Sequence, residues 1–423
     1  MSDMNITIKG AKRLLTAGKY CDKNIVVTAE GGGAGDFNIA YGDTAPEDTT
    51  KLWVKTAEPE AVQVAAQVAA ANEEMEAGVS SLPNLAYGMA AVVVDKKVYL
   101  FGGVNSTSYD TINVFDTETN TISTLDTKLP QATYGMAAVV VDKKVYLFGG
   151  VGSSNTTINT INVFDTETNT ISTLSQTVPS RHNMAAAVVD KKVYLFGGMY
   201  IYNSWSYYDT ISVFDTETNT VTTLSQKLPS KAGNIASAVI GTKVYLFGGS
   251  QQSSGFLDTI NVFDTETNTI STLDTTIPTA ADGIASAVIG TKVYLFGGYY
   301  WNSGNFYYDT INVFDTETNT ISTLDTTIPT AAYLMASAVV GANVYLFGGR
   351  GASNVRLGAI NRFSVSFALA QNTLLIEASL TENILNLLSS VEIGVKNVYK
   401  GNADGVGEMV AAALYKDGAW TEI

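Results

Sequence analysis

The chain offers little to catalytic chemistry. It contains one histidine, His182, and one cysteine, Cys21. Centres that need paired imidazoles, and an internal disulfide framework, are therefore excluded. No Gly-x-Ser-x-Gly, His-Glu-x-x-His or phosphate-binding loop occurs. Two carboxylates could hydrolyse a glycosidic bond, and Asp282 is a candidate for one of them. Beside Gly283, however, it reads first as a turn residue. His182, a polar residue at the start of a strand, reads as a loop contact before it reads as a general base. The sequence Asp116-Thr-Glu118-Thr-Asn120 occurs five times with its turn intact. Oxygen ligands at alternate positions would suit calcium, but the run lacks the Gly and the downstream Glu of an EF-hand, and it is ordinary hairpin-turn chemistry. No catalytic residue, metal or cofactor is expected.

Binding chemistry is better represented. One segment holds Tyr200, Tyr202, Trp205, Tyr207 and Tyr208. Another holds Tyr299, Tyr300, Trp301, Phe306, Tyr307 and Tyr308. Asn203, Ser204, Ser206, Asn302, Ser303 and Asn305 lie between them. Large rigid rings among small hydrogen-bonding residues resemble the composition of antibody paratopes, and exposed aromatic clusters mark interaction sites. Tyr208 and Tyr308, each before Asp-Thr, are expected to pack the loops down. The remaining rings of the two segments, with Arg181 and His182 from a neighbouring variable segment, form the expected ligand-binding set.

A repeated scaffold must position these loops. Val98-Tyr-Leu-Phe-Gly-Gly103 returns at 145–150, 193–198, 244–249, 293–298 and 344–349, with starts 47, 48, 51, 49 and 51 residues apart. A period near 50 marks modules that bury their apolar faces against neighbours. In the second unit, 136–141 is a continuous apolar run, expected to be a strand covered on both faces. Asp142-Lys-Lys turns the chain into 145–148. After Gly149-Gly150 and a loop, the runs 161–164 and 171–174 alternate. Four antiparallel strands per unit and six units predict an all-β ring of blades, with the Ala-rich first strand innermost.

The spacing and the double glycine resemble kelch repeats over residues 84–377, which implies a six-bladed β-propeller. The tryptophan usual in the fourth strand of that family is replaced here by Ile122, Ile171, Val221, Ile270 and Ile321, and blade packing is expected to tolerate the change. The sixth unit lacks Asp-Thr-Glu-Thr. Its run 367–376 keeps a Phe-to-Asn spacing that predicts a complete blade with a different turn, and 79–82 is the alternative segment for closing the ring.

In a four-stranded meander, the first-to-second and third-to-fourth connections emerge on one side. Here those connections barely vary. The second-to-third loops and the blade lead-ins emerge on the other side, and these do vary: 104–109, 151–159, 199–208, 250–257, 299–308 and 350–358, with Tyr87, Tyr134, Arg181 to Asn183, Gly233-Asn234, Asp282-Gly283 and Tyr333. One uniform face and one diversified face predict a binding platform.

The flanks are different material. Residues 1–35 read as a compact module ending in a Gly-rich linker. Residues 36–83 are a turn-rich connection whose Ala-rich part, 60–77, is helical or extended. Residues 378–423 read as a short helix at 381–388 followed by a small β module. Leu14 to Thr28, Gly42 to Lys55 and Val398 to Trp420 resemble segments of tail and virion proteins of tailed bacteriophages. The resemblance implies attachment to a virion, contact with other virion proteins through both flanks, and outward display of the propeller.

Composition is consistent with this. The net charge of −15 argues against nucleic acid. No apolar stretch reaches the ~18 residues of a membrane span, and the first residues lack a signal-peptide core. Synthesis in the host cytoplasm without a membrane partner is the expectation. The reading is a non-enzymatic phage virion protein, a fibre or a tail or head appendage, whose propeller binds a host-surface glycan or protein. The alternatives are an intracellular kelch scaffold for a protein partner and, more remotely, a glycan-active enzyme.

Overall fold

A computed structural model describes residues 68–369 apart from 202–204 and 253–254, together with short strands in both flanks. Residues 72–366 form one compact unit, and 1–71 with 367–423 form another. In the second of these, Met4–Thr7 runs parallel to Ile25–Thr28, and Asn38–Tyr41 runs parallel to Lys51–Val54. Gly394–Gly401, Gly407–Lys416 and Ala419–Glu422 make an antiparallel sheet with Tyr415 opposite Trp420. The predicted helix at 381–388 and linker at 31–35 lie outside the described residues.

The large unit is a ring of six four-stranded antiparallel blades. In the second blade, Ala137–Val141, Lys144–Phe148, Thr160–Asp165 and Thr170–Thr177 follow one another from the axis outwards. The innermost strands pack side by side from Ala90–Val94 round to Ala336–Val340, which meets the first again. These strands are not covered on both faces. Their residues alternate between buried and half-buried, because one side lines the central channel. Three of the half-buried positions are serines that stitch neighbouring strands: Ser237 donates to the Ala186 carbonyl, Ser286 to Ser237 and Ser337 to Ser286, at 2.8–3.0 Å.

Blades are held together by one aromatic arrangement repeated six times. Tyr146 and Phe148 of the second strand pack on Phe214 of the next blade's third strand, with ring centroids 5.6 and 5.5 Å apart. Tyr345 and Phe347 close the circle on Phe115 at 5.3 and 5.6 Å. Tilted and edge-on pairs of this kind are worth about 0.5–1.5 kcal/mol beyond their buried area. The aliphatic residues that replace the family's tryptophan pack against the same clusters, Ile122 opposite Phe115 and Ile171 opposite Phe164.

The double glycine makes the backbone joint. Gly149 has φ 60°, and a Cβ there would stand 2.2 Å from the Arg181 carbonyl oxygen of the next blade. The following Gly150 N–H donates to that same oxygen at 2.8 Å. The joint recurs at all six glycine pairs, ending with Gly349 donating to Ala86 at 2.9 Å.

The last blade departs from the sequence expectation. Its third strand is Ala359–Leu369, in which Phe363 lies opposite Val344 as Phe115 lies opposite Val98. Phe363, not Phe367, is thus the counterpart of Phe115, and Ser364 stands where the other blades have Asp. The fourth strand is Val68–Ser81, the Ala-rich segment, so the blade is completed from the N-terminal side and 367–376 does not supply it. The strand is fastened by Gly78 N–H to Asn361 Oδ1 at 2.9 Å, Arg362 to Glu76, and Tyr294 Oη to Glu73 Oε1 at 3.1 Å.

The five Asp-Thr-Glu-Thr-Asn turns share one geometry. Asp116 Oδ1 accepts the N–H groups of Glu118 and Thr119 at 3.0 Å, and Asn120 takes the left-handed conformation. These amide bonds, led by Thr119, hold the Asp116 carboxyl below its ordinary range. Glu118 is exposed and paired with Lys96 at 2.6 Å, an interaction of the weak surface type.

The joint yields a direct comparison. Gly241 also has a positive φ, 59°, but nothing lies within 4 Å of a Cβ there. Gly241→Ala is expected to cost about 1–2 kcal/mol through the left-handed backbone alone. Gly149→Ala, which also collides with backbone, should cost several kcal/mol and expose the inter-blade core. Urea denaturation of both variants measures this, and equal losses would remove the joint's special role.

Candidate functional site

Each blade begins with a lead-in residue that bridges to the loop following the glycine pair. The antiparallel bridges are Tyr87 to Val104, His182 to Met199, Gly233 to Ser250 and Asp282 to Tyr299, with Tyr134 to Val151 and Tyr333 to Arg350 in short ladders. The residues next to these are Gly88, Gly135, Asn183, Asn234, Gly283 and Leu334, all with φ between 52° and 64°. Each donates its N–H to the carbonyl of its counterpart in the preceding blade, at 2.8–3.2 Å, and Gly88 to Leu334 completes the ring. Six backbone hydrogen bonds thus encircle the axis. The left-handed requirement explains the Gly and Asn residues there; Leu334 meets it without that ease.

Against this ring lies a cavity of about 840 Å³ on the variable face. Tyr87 and Tyr134 line it from the first two blades, His182, Trp205 and Tyr207 from the third, Asn234, Ser250 and Phe256 from the fourth, Asp282 and Tyr299 from the fifth, and Tyr333 and Arg350 from the sixth. The two aromatic loops form hairpins: Met199–Ile201 with Trp205–Tyr207, and Tyr299–Trp301 with Asn305–Tyr307. Tyr299 stacks on Tyr333, centroids 4.9 Å apart and planes 27° apart, and Phe256 meets Tyr299 edge-on at 5.8 Å. His182 lies 5.6 Å from the Trp205 ring.

Four of the residues expected to bind ligand, His182, Trp205, Tyr207 and Tyr299, thus line one cavity. The others lie elsewhere. Trp301 and Phe306 are 46% and 50% exposed on the fifth blade's hairpin. Tyr300 packs edge-on to Phe256, Tyr307 lies against Tyr299 and Tyr333, and Tyr200 is half-buried opposite Ser206. Tyr202 falls outside the described residues. Arg181 belongs to the scaffold: it is buried, its Nη1 donates to the Gly197 carbonyl at 3.1 Å and to Thr210 Oγ1 at 2.5 Å, and its guanidinium covers Tyr208 at 4.1 Å. Tyr208 accordingly packs its loop down. Asn234, Tyr333 and Arg350 line the cavity although the expected ligand-binding set left them out, and so does Asp282, which the sequence offered as a candidate carboxylate but which reads there first as a turn residue. Their signal was position in the variable segments; Asp282 and Arg350 also differ from their counterparts, whereas Asn234 repeats Asn183 and Tyr333 repeats Tyr87 and Tyr134.

Electrostatics set the cavity's character. Asp282 is 6% exposed. Burial raises its carboxyl to about 6 against the opposing pull of Asn234, whose Nδ2 donates to Oδ2 at 2.8 Å, and of Ser250. Burial also lowers His182 to about 4, so its imidazole is neutral at pH 7, and lifts the Tyr333 phenol to about 12. Arg350 sits over the Tyr87 and Tyr333 rings at 5.5 and 5.9 Å.

The buried carboxylate is a burden on the fold at neutral pH. Its rise from 3.8 to about 6 corresponds to about 3 kcal/mol. A folded-state value above the unfolded one makes the wild type relatively more stable in acid and less stable above pH 6. Asp282→Asn should therefore be more stable than wild type at pH 8 by about 2–3 kcal/mol, and the advantage should shrink towards zero near pH 4. Urea denaturation at the two pH values tests this. A pH-independent difference would show that the charge is not what the site strains to hold.

Comparison with known proteins agrees with this architecture. The solved structure of YjhT is 15% identical, with a TM-score of 0.58 over 66% of this chain and 95% of that one, a likeness of fold. No curated protein matches in sequence. The family model of the KLHDC2/KLHL20/DRC7 kelch-repeats domain matches residues 88–239 and 225–368. Six glycine-jointed blades and a match over most of the ring lead to one assignment: the chain belongs to the kelch-repeat family.

Proposed function

We propose that this chain is a non-enzymatic binding protein of a bacteriophage virion, a fibre or a tail or head appendage, whose propeller takes a glycan of the host cell surface. The observation that carries the binding role is convergence. The variable segments of all six blades meet at one axial cavity, and their rings, amides and hydroxyls suit a ligand that is apolar on its faces and polar at its edges. The virion role rests on the resemblance of both flanks to phage tail and virion segments. A non-enzymatic role is supported by the lining, where Asp282 is the only carboxylate among the described residues, while glycoside hydrolysis by paired acids needs two.

Exposed Trp301 and Phe306 favour a second reading, in which an intracellular scaffold holds a protein partner across its loop tips. The two readings separate on the tryptophans. For glycan capture, Trp205→Ala should weaken attachment to host cells and to isolated wall glycan by about 2 kcal/mol, roughly thirtyfold, while Trp301→Ala matters less. Glu118→Ala with Glu167→Ala, on the uniform face, should leave attachment intact. Stability of Trp205→Ala should fall far less than that of Phe148→Ala, a core truncation costing about 3–5 kcal/mol. Periodate treatment of the cells should abolish binding and protease treatment should spare it; the reverse pattern would favour a protein ligand. Antibody labelling of purified virions tests the location, and unlabelled particles would refute it.

A further inference from the structure

The sixth blade carries charge where the other five carry none. In every blade the residue after the glycine pair bridges to one on the returning arm of the same loop. Val104 faces Ser108, Val151 faces Thr157 and Tyr299 faces Tyr307, and the third and fourth blades also pair uncharged residues. In the sixth blade the pair is Arg350 and Arg356. Like charges directly opposite one another oppose strand pairing, and five blades show that the scaffold does not require them.

One residue aims both guanidiniums. Arg350 donates through Nε to Asn354 Oδ1 at 3.1 Å and through Nη2 to the same oxygen, while Arg356 donates through Nη1 to the Asn354 carbonyl. The two cations then stand by a single ring, 5.5 and 5.6 Å from the Tyr87 centroid. Both residues are half-buried, and Arg350 lines the axial cavity.

Among the described residues, no carboxylate forms an ion pair with either one, whereas Arg362 is paired with Glu76 and Arg181 is spent on Gly197 and Thr210. Asp282, on the same lining, is buried in the fifth blade and held by Asn234 and Ser250. Two partly desolvated cations side by side without a counter-ion, in a chain of net charge −15, point to an anion that arrives with the ligand. The planar guanidinium fork matches carboxylate and phosphate oxygens.

We propose that Arg350 and Arg356 form a subsite for the anionic group, carboxylate or phosphate, of an acidic glycan. This rests on the glycan reading above and names the class of glycan. The rings on the same lining, Trp205 and Tyr134 among them, offer faces to the sugar that bears the anion.

The test is isothermal titration calorimetry on the full chain with methyl glucoside, methyl glucuronide and methyl glucoside 6-phosphate. Acetate, inorganic phosphate and a tetraglutamate peptide are the comparators. At least one acidic sugar should bind roughly tenfold tighter than the neutral one, the scale of a charge-assisted hydrogen bond. That preference, and the affinity for isolated wall glycan, should collapse in Arg350→Gln with Arg356→Gln, and in the wild type as salt rises to about 0.5 M. Lys231→Gln, which removes a charge from an exposed lead-in of the fourth blade, should retain both. Thermal melting establishes that the double variant is folded, and the wild-type salt profile decides the matter if it is not. An equal loss in Lys231→Gln would overturn the subsite in favour of a diffuse charge effect. Binding of acetate or inorganic phosphate as tight as that of the sugars would overturn it too, and so would tighter binding of tetraglutamate, which would favour a protein ligand. Wall-glycan binding unchanged in the double variant and at high salt would remove the subsite and leave the glycan reading standing. If the wild type binds neither wall glycan nor any of the sugars, the glycan reading falls and the subsite with it.

Discussion

The ring depends on a contact in which backbone meets backbone. At each blade boundary a glycine N–H donates to a lead-in carbonyl of the next blade, from Gly103 to Thr133 at 3.0 Å round to Gly349 to Ala86 at 2.9 Å. The first glycine of each pair comes so close to that carbonyl that a Cβ would overlap it, at 2.1 Å for Gly102. No other residue type permits this approach, because every other side chain begins at Cβ. Six repeats of one short contact fix the angle between blades. The Tyr and Phe residues just before the glycines are then delivered onto the next blade's Phe, as Phe148 is onto Phe214. Hydrophobic burial supplies the bulk of the stabilisation, and the glycine joint decides which rings meet.

The same joint places the site. Immediately after each glycine pair the chain bridges back to a lead-in residue, so lead-ins and loops from all six blades gather around one axis. The hydrogen-bond ring through Gly88, Gly135, Asn183, Asn234, Gly283 and Leu334 occupies backbone groups only. Side chains at the neighbouring positions, Tyr87, Tyr134, His182, Asp282 and Tyr333, take no part in that ring and can differ from blade to blade. A scaffold that is satisfied by its backbone tolerates a buried acid such as Asp282, whose desolvation weakens the fold. Arg181 shows the opposite case: its guanidinium is committed to Gly197, Thr210 and Tyr208, and the residue serves the scaffold.

Completion of the last blade follows from geometry. The third strand carrying Phe363 runs on to Leu369 without the Asp-capped turn that reverses the other five. The open edge is covered by Val68–Ser81, which precedes the first blade in sequence. The first and last parts of the ring therefore share one sheet, and opening the ring there requires breaking strand pairing as well as the bonds from Gly78, Glu76 and Glu73. Unpaired strand edges are exposed templates for association, and this arrangement removes one.

The sequence alone determined the repeat, the four-strand blade, the uniform and variable faces and the turn chemistry of Asp-Thr-Glu-Thr-Asn. All of these rest on local spacing, on alternation, or on residues that favour one backbone conformation. It also singled out the aromatic loops, because their composition differs so sharply from the repeats. Tertiary structure alone decided which of those rings reach the axis. Tyr299 and Trp301 lie two residues apart on one strand, yet only Tyr299 lines the cavity; loop composition carries no information about distance from an axis formed by six distant segments. It decided that Asp282 and Asn234, 48 residues apart, share a hydrogen bond, and that Arg181 is spent inside the scaffold. It also settled the closing strand. The run at 367–376 imitates a blade in spacing, but strand pairing is set by which edge is open in space, and Val68–Ser81 is the strand that fills it.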